Sequence, residues 1–562
     1  MRSFTYDPTK IPENGKDRMR FELGDTMVEG AEETCALTDE EYAAALTMYP
    51  KRWRKDKIAC LRSIVTRFMY EVDTKVGPLS LSLHQRAEAW KTMAGTYTIG
   101  EKQTRPGVYH RYENAGGLQT AGATNGIGAA VVRASWGPLN KVIEFEPATS
   151  VETVFGTVGT TDLITAMFTG GLVSGFFVRA GHGGKEPSLV INTAEGEAAG
   201  TIKGAYVGAR AFTATIRDNL AGDAREFFIY DETRTFLKVT FAKGDDEVAA
   251  LKEAMEAATN DFILVLEEGA SGALADIAQA AFTGGEDPEV TAQDYSDAFS
   301  SLEPYTYNVI CIDTTAAAVK ATLAACLARI YEAGSYPMAV IAADTTKDLE
   351  TRMEEAVTYN DPKVIFVLNG AVDSTGAVLE DYLVAARIGG EVASTPANQS
   401  VTHLVLSGYA DLAQPLTNTQ VINALKKGCL VLTKNKAGQV HIEQGINTLI
   451  TPNAEQDDGW KKIRRVKTRF ELMQRIDDTL ENIIGKVNND TDGRATIVAA
   501  GNSVIKTMAA EQKLQKTGGS MAEDDDNPPE GDSAWFVIAV DDIDSIEKVY
   551  LLYRFRFTAP TE

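Results

Sequence analysis

The stretch from 307 to 408 leaves the chain little choice of architecture. Four apolar runs, YNVICIDT, YPMAVIAAD, KVIFVLNGAV and THLVLSG, alternate with the helical patterns AAVKATLAACLARIYEAG, DLETRMEEAVTY and LEDYLVAARIGGEVAS. The runs are apolar throughout rather than at every second position, so each strand must be covered on both faces. That predicts a largely parallel sheet with helices on either side, and the chain as a whole reads as a multidomain α/β (α+β) protein.

The flanking sequence divides around this block. Residues 1–92 read as a small helical module: Thr38 is placed to cap LTDEEYAAAL with Glu41 three positions later, and Ile58, Leu61, Ile64, Val65, Phe68 and Met69 recur at helical spacing. LTDEEYAAAL and the later SLHQRAEAW loosely resemble small helical proteins encoded beside phage head-to-tail connectors. Composition changes at Met93, which reads as an original start codon that would make 1–92 an added module. Residues 93–117 are Gly-rich, and Pro106 fixes its own φ and holds Arg105 extended, so an N-terminal arm is expected there. A small α/β segment follows at 118–185. Short strands at roughly ten-residue spacing then predict an inserted β-sandwich or barrel at 186–285. The α/β domain is assigned to 286–455, a C-terminal α+β domain to 456–545 and a strand-like arm to 546–562.

The formal net charge is -24, which opposes broad binding to a phosphate backbone. One stretch runs against it: Lys461, Lys462, Arg464, Arg465, Lys467 and Arg469 are six bases in nine positions. It is the only place where a nucleic-acid module could reside. Five cysteines lie far apart without CxxC pairs and read as small buried residues of a reducing compartment. There is no 18-residue apolar run, and MRSFTYDPTK lacks a charged-then-apolar signal, so synthesis in a cytoplasm is expected.

Chemistry finds little support. GxxxxGK[ST] and a properly placed GxGxxG are absent, and the five histidines form no HxH, HxxxH or HExxH, so neither a cofactor nor a metal is expected. An α/β hydrolase-like enzyme would need Asp313, Asp344, His403 and Ser407 to converge. His403, Ser407 and Asp411 offer triad residue types, but HLVLSGYAD lacks the GxSxG elbow. No catalytic residue is assigned.

The ends are more informative. KVYLLYRFRF places Val549, Leu551, Tyr553, Phe555 and Phe557 on one face and Tyr550, Leu552, Arg554 and Arg556 on the other, as a strand would. PGVY in the N-terminal arm, IIGKVNNDTDGR at 483–494 and DIDSIEKVYLLYRFRF at the end together resemble contractile phage tail sheath proteins, including those of tailocins and contractile injection systems. The resemblance covers about 93–562. It implies a non-enzymatic virion-tail or injection-particle subunit, assembled in a bacterial cytoplasm into hexameric rings or helical strands around an inner tube. Baseplate and tail terminator or collar proteins are implied as further partners, with no nucleic acid and no membrane insertion. It also implies that arms built from Arg105, Pro106, Gly107, Val108 and Tyr109 and from Val549 to Phe555 join neighbouring subunits. On a helical wheel Ile463, Val466, Phe470, Met473, Leu480 and Ile484 form an apolar stripe. Lys461, Arg464 and Lys467 point away from it and are expected to face the tube, while Lys462, Arg465 and Arg469 are expected to pair with acids.

Overall fold

A computed structural model describes residues 3–11, 15–23, 25–26, 28, 37–48, 57, 60, 63, 125–231, 234–453 and 456–555. The chain divides into two units, Met1–Gln103 and Thr104–Glu562.

In the first unit, helices Lys16–Leu23 and Asp39–Met48 are fixed by a buried charge cluster. Arg20 pairs with Asp25 at 2.7 Å with both side chains inaccessible, and the Tyr42 hydroxyl donates to the same carboxylate at 2.9 Å. Thr38 and Glu41 form the reciprocal cap read from the sequence, Glu41 N–H to Thr38 Oγ1 at 3.1 Å and Thr38 N–H to Glu41 Oε2 at 2.7 Å. Among the apolar positions noted above, 58, 61, 64, 65, 68 and 69 lie outside the described residues, as do 105–109.

The second unit is mixed α/β. Its seven-stranded sheet runs Cys429–Leu430, Val364–Val367, Met338–Ala342, Val309–Ile312, Ile127–Val132, Ser174–Arg179, Val142–Phe145. All neighbours are parallel except the last pair. The strands of 118–185 therefore belong to the same sheet as those of 286–455 rather than forming a separate layer, because only a shared sheet gives Ile127–Val132 two hydrogen-bonded edges. One face is covered by helices Ala292–Leu302, Ala317–Glu332 and Leu349–Tyr359, the other by Asp162–Thr169 and Asp381–Ser394.

Between Arg179 and Ala292 the chain leaves to build a β-domain of two sheets, one of strands 277–281, 212–218, 224–231 and 234–242, the other of 188–192, 198–204 and 262–266. Trp136, from the α/β side, is fully buried in that domain's core, with its ring 4.8 Å from Phe212 and 5.6 Å from Phe262. Buried Arg179 donates to the carbonyls of Ala134 and Gly137 on the α/β side and of Val207 in the β-domain, tying the two together. Four cysteines among the described residues are buried free thiols, and burial raises the thiol pKa of Cys311 and Cys429. Among the described residues no helix is long and apolar enough to cross a membrane.

Helix Asp381–Ser394 sits between the sheet and helix Asp162–Thr169, and the approach is close enough to require glycine. A Cβ on Gly389 would overlap Cys311 Sγ, and one on Gly390 would overlap the Met167 carbonyl oxygen. Gly390→Ala gains about 1 kcal/mol of helix propensity but forces backbone apart, which costs roughly 1–3 kcal/mol. Because the obstacle is main chain, the second effect wins. The expected outcome is a lower thermal midpoint; an unchanged or higher one contradicts the close packing.

Candidate assembly site

The basic run opens helix Ile463–Glu481, which is preceded by a short turn of 3-10 helix, Asp458–Lys461. This helix bridges two cores. Trp460, Ile463, Val466, Phe470 and Met473 complete the large α/β core. Leu472, Ile476 and Leu480 form a second core with helix Thr491–Ala510 and the hairpin Ser520–Glu523/Phe536–Ala539. Ile484 of the expected stripe lies beyond the helix end.

After the hairpin, residues 540–547 run back along the basic helix, and their acids meet its bases. Arg465 Nε donates to Asp542 Oδ2 at 2.8 Å and Arg469 Nε to the same oxygen at 3.0 Å. Arg469 also holds Asp457 at 2.8 Å and stacks over the Trp460 ring at 4.6 Å. Arg464 Nη1 donates to Ser545 Oγ at 3.0 Å. Lys462 pairs with Glu547, which also accepts from Thr402 Oγ1 at 2.7 Å and Gln444 Nε2 at 2.9 Å. Burial works against the charged forms of Asp542 and Glu547. Arg465 and Arg469 in one case, Lys462, Gln444 and Thr402 in the other, outweigh it and hold both carboxyls below their usual range.

The wheel reading of the three outward bases needs correction. Arg464 is only 6% exposed. Lys467 lays its ammonium on the carbonyls of Val392 and Thr395, and desolvation pushes it down to about 8. The wheel assumes one buried face, but this helix is covered on two sides, by its own core and by residues 540–547 and 392–397. Lys461 is part-exposed and paired with exposed Asp458 at 2.8 Å. Lys462, Arg465 and Arg469 lie against acids of this chain. Asp542, Glu547 and Ser545 were not singled out from the sequence, although DDIDSIE is an acid-rich run of the sort a basic helix requires.

From Val549 to Phe555 the chain leaves the body. The expected strand is not formed among the described residues, because no edge pairs with it, and its apolar side chains are 69% to 93% exposed on both faces.

Of the enzyme candidates, Asp313, Asp344 and Asp411 are each held by hydrogen bonds or ion pairs within the fold. Asp313 accepts from Arg133 Nε at 2.9 Å and from the Tyr295 and Thr160 hydroxyls. Asp344 caps Thr346 and Asp411 pairs with Lys434 at 2.7 Å.

Residues 288–448 match the phage tail sheath protein central domain. This part of the chain contributes four strands of the large sheet and ends before the basic helix. The chain is 23% identical over 485 residues to the phage-like element PBSX protein XkdK of Bacillus subtilis strain 168, covering 81% of this chain and 98% of that relative. It is 24% identical over 219 residues to the tail sheath protein of Clostridium phage phiCD119, covering 39% of this chain and 57% of that relative. The crystal structure of a sheath tail protein from Desulfitobacterium hafniense superposes with a TM-score of 0.60 at 21% identity, covering 78% of this chain and all of that one. The fold is thus that of tail sheath proteins.

A carboxylate held below its usual pKa contributes stability that is present above about pH 4 and lost as pH falls through its folded value. Residues 540–547 are therefore expected to loosen below about pH 4. Hydrogen exchange, corrected for the intrinsic pH dependence, should show these amides losing protection before the large sheet does. Simultaneous loss in both would contradict a separable anchor.

Proposed function

We propose that this chain is the subunit of a contractile tail sheath that polymerises around an inner tube by terminal-strand pairing and contracts to drive the tube through a cell envelope. The observation that carries this is the segment Val549–Phe555: alternating, exposed and unpaired among the described residues, yet leaving the body from a firmly bonded anchor. An extended apolar segment in water gains most by adding to a neighbouring sheet edge, where main-chain hydrogen bonds supply affinity and alternate side chains supply register.

The small hairpin offers such an edge. Asn502 occupies the backbone of Met521 on the outer side of Ser520–Glu523, donating to its carbonyl at 2.9 Å and accepting from its N–H at 3.0 Å. That leaves the outer side of Phe536–Ala539 as the proposed acceptor in a neighbouring subunit. The 105–109 segment is proposed as the second arm. Tube contact by the basic run falls to Lys461, where a part-exposed charge gives a weak, salt-screened attraction suited to release. Baseplate and terminator proteins are the proposed partners at the ends of the cylinder.

Removing 549–562 takes away none of the bonds that hold residues 540–547 among the described residues. The truncated chain is expected to fold with an unchanged thermal midpoint and to remain monomeric in sedimentation where the full chain forms cylinders visible by electron microscopy. Cylinders from the truncated chain would overturn the role of this arm.

A further inference from the structure

Two histidines and a glutamate meet beside the anchor. His441 lies on strand Val440–Ile442, which pairs with Leu432–Lys434, and Glu443 follows two positions later, on the same side of an extended chain. Segment 403–406 adds to the other edge of that strand: Ile442 N–H donates to the Leu404 carbonyl at 3.0 Å and Leu406 N–H to the Val440 carbonyl at 3.0 Å. The bridge Val405 to His441 would place His403 opposite Glu443. Instead His403 donates its N–H to Ile442 at 2.8 Å and takes φ 60°, an unusual conformation for a residue other than glycine.

The result brings one donor atom from each of His403, His441 and Glu443 within 4.8 Å of one another. The two imidazoles meet edge-on at 5.1 Å between centroids. His441 Nε2 is 3.7 Å from Glu443 Oε2, too far for a hydrogen bond but near enough for both to bind one ion. His441 is 6% exposed, and its buried Nδ1 has no hydrogen-bond partner among the described residues. Thr433 Oγ1 donates to Glu443 Oε2 at 2.6 Å and so aims the carboxylate, the outer-shell support that metal-binding carboxylates commonly have.

We propose that His403, His441 and Glu443 form a binding site for a divalent transition cation, with zinc the best fit. Two imidazoles with one carboxylate suit zinc, cobalt or nickel, whereas calcium and magnesium favour oxygen ligands alone. Donor atoms about 2.0–2.2 Å from zinc stand closer together than 4.8 Å. The exposed His403 side chain closes that gap by rotation and leaves the fourth position to water. The ion ties segment 403–406 to strand Val440–Ile442. Thr402 and Gln444, which hold Glu547, are the immediate neighbours of two of the ligands. The sequence concealed the site because His403 and His441 are brought together only by strand pairing.

The test uses the full chain stripped of metal, with zinc alone as the probe and cobalt as the spectroscopic reporter. One zinc per chain should survive gel filtration, and the cobalt form should show the strong visible absorption of a tetrahedral site. H403A, at an exposed position, should weaken zinc binding at least a hundredfold. T433V should weaken it about tenfold to a hundredfold, as loss of an outer-shell partner does. No retained zinc, or equal retention by H403A, overturns the proposal.

Discussion

The ion pairs between the basic helix and residues 540–547 determine how the end of this chain can be used. A free C-terminal tail would lose conformational entropy on joining a neighbour and would transmit no force. Here Arg465 and Arg469 converge on Asp542, and Lys462 fixes Glu547, so the chain is held to within two residues of the exposed segment. Exposed pairs contribute little, but Asp542 is nearly inaccessible and receives several charge-assisted hydrogen bonds, which are the stronger kind.

That anchor is continuous with the rest of the second unit. The same helix fills the large α/β core with its first half and the small hairpin core with its second. A pull on residues 549–555 is therefore borne by helix and sheet together. On the β-domain side, Trp136 and Arg179 make a comparable junction, with a core residue and guanidinium hydrogen bonds to main-chain carbonyls of both parts. Under the proposed sheath function, these bonded junctions suit a subunit that moves as a body while its arms stay attached.

The sequence made legible what depends on local period. Apolar runs and helical patterns between 307 and 367 identify three strands of the parallel sheet, whereas THLVLSG, read as a fourth, lies outside it and Cys429–Leu430 takes that place; the Thr38–Glu41 spacing identifies a helix start. What it could not show depends on distant pairing. Whether Arg464 and Lys467 face outward depends on segments 540–547 and 392–397, which no wheel of one helix includes. The strand pattern of 549–555 was visible, but a strand needs a partner edge, and none of the described edges takes it. The junction of 118–185 with the later strands was hidden for the same reason, since parallel neighbours are joined across nearly the whole β-domain insertion.

The basic run pairs with residues 540–547 of its own chain, and under the proposed function each subunit presents its arm from that fixed base. Zero-length carbodiimide cross-linking of assemblies grown from mixed light and heavy isotope-labelled subunits tests it directly, because the Lys462 ammonium and Glu547 carboxylate are in contact. The expected result is a Lys462–Glu547 cross-link whose two peptides always carry the same label. Cross-links joining light to heavy peptides would contradict it and place that segment on a neighbouring subunit.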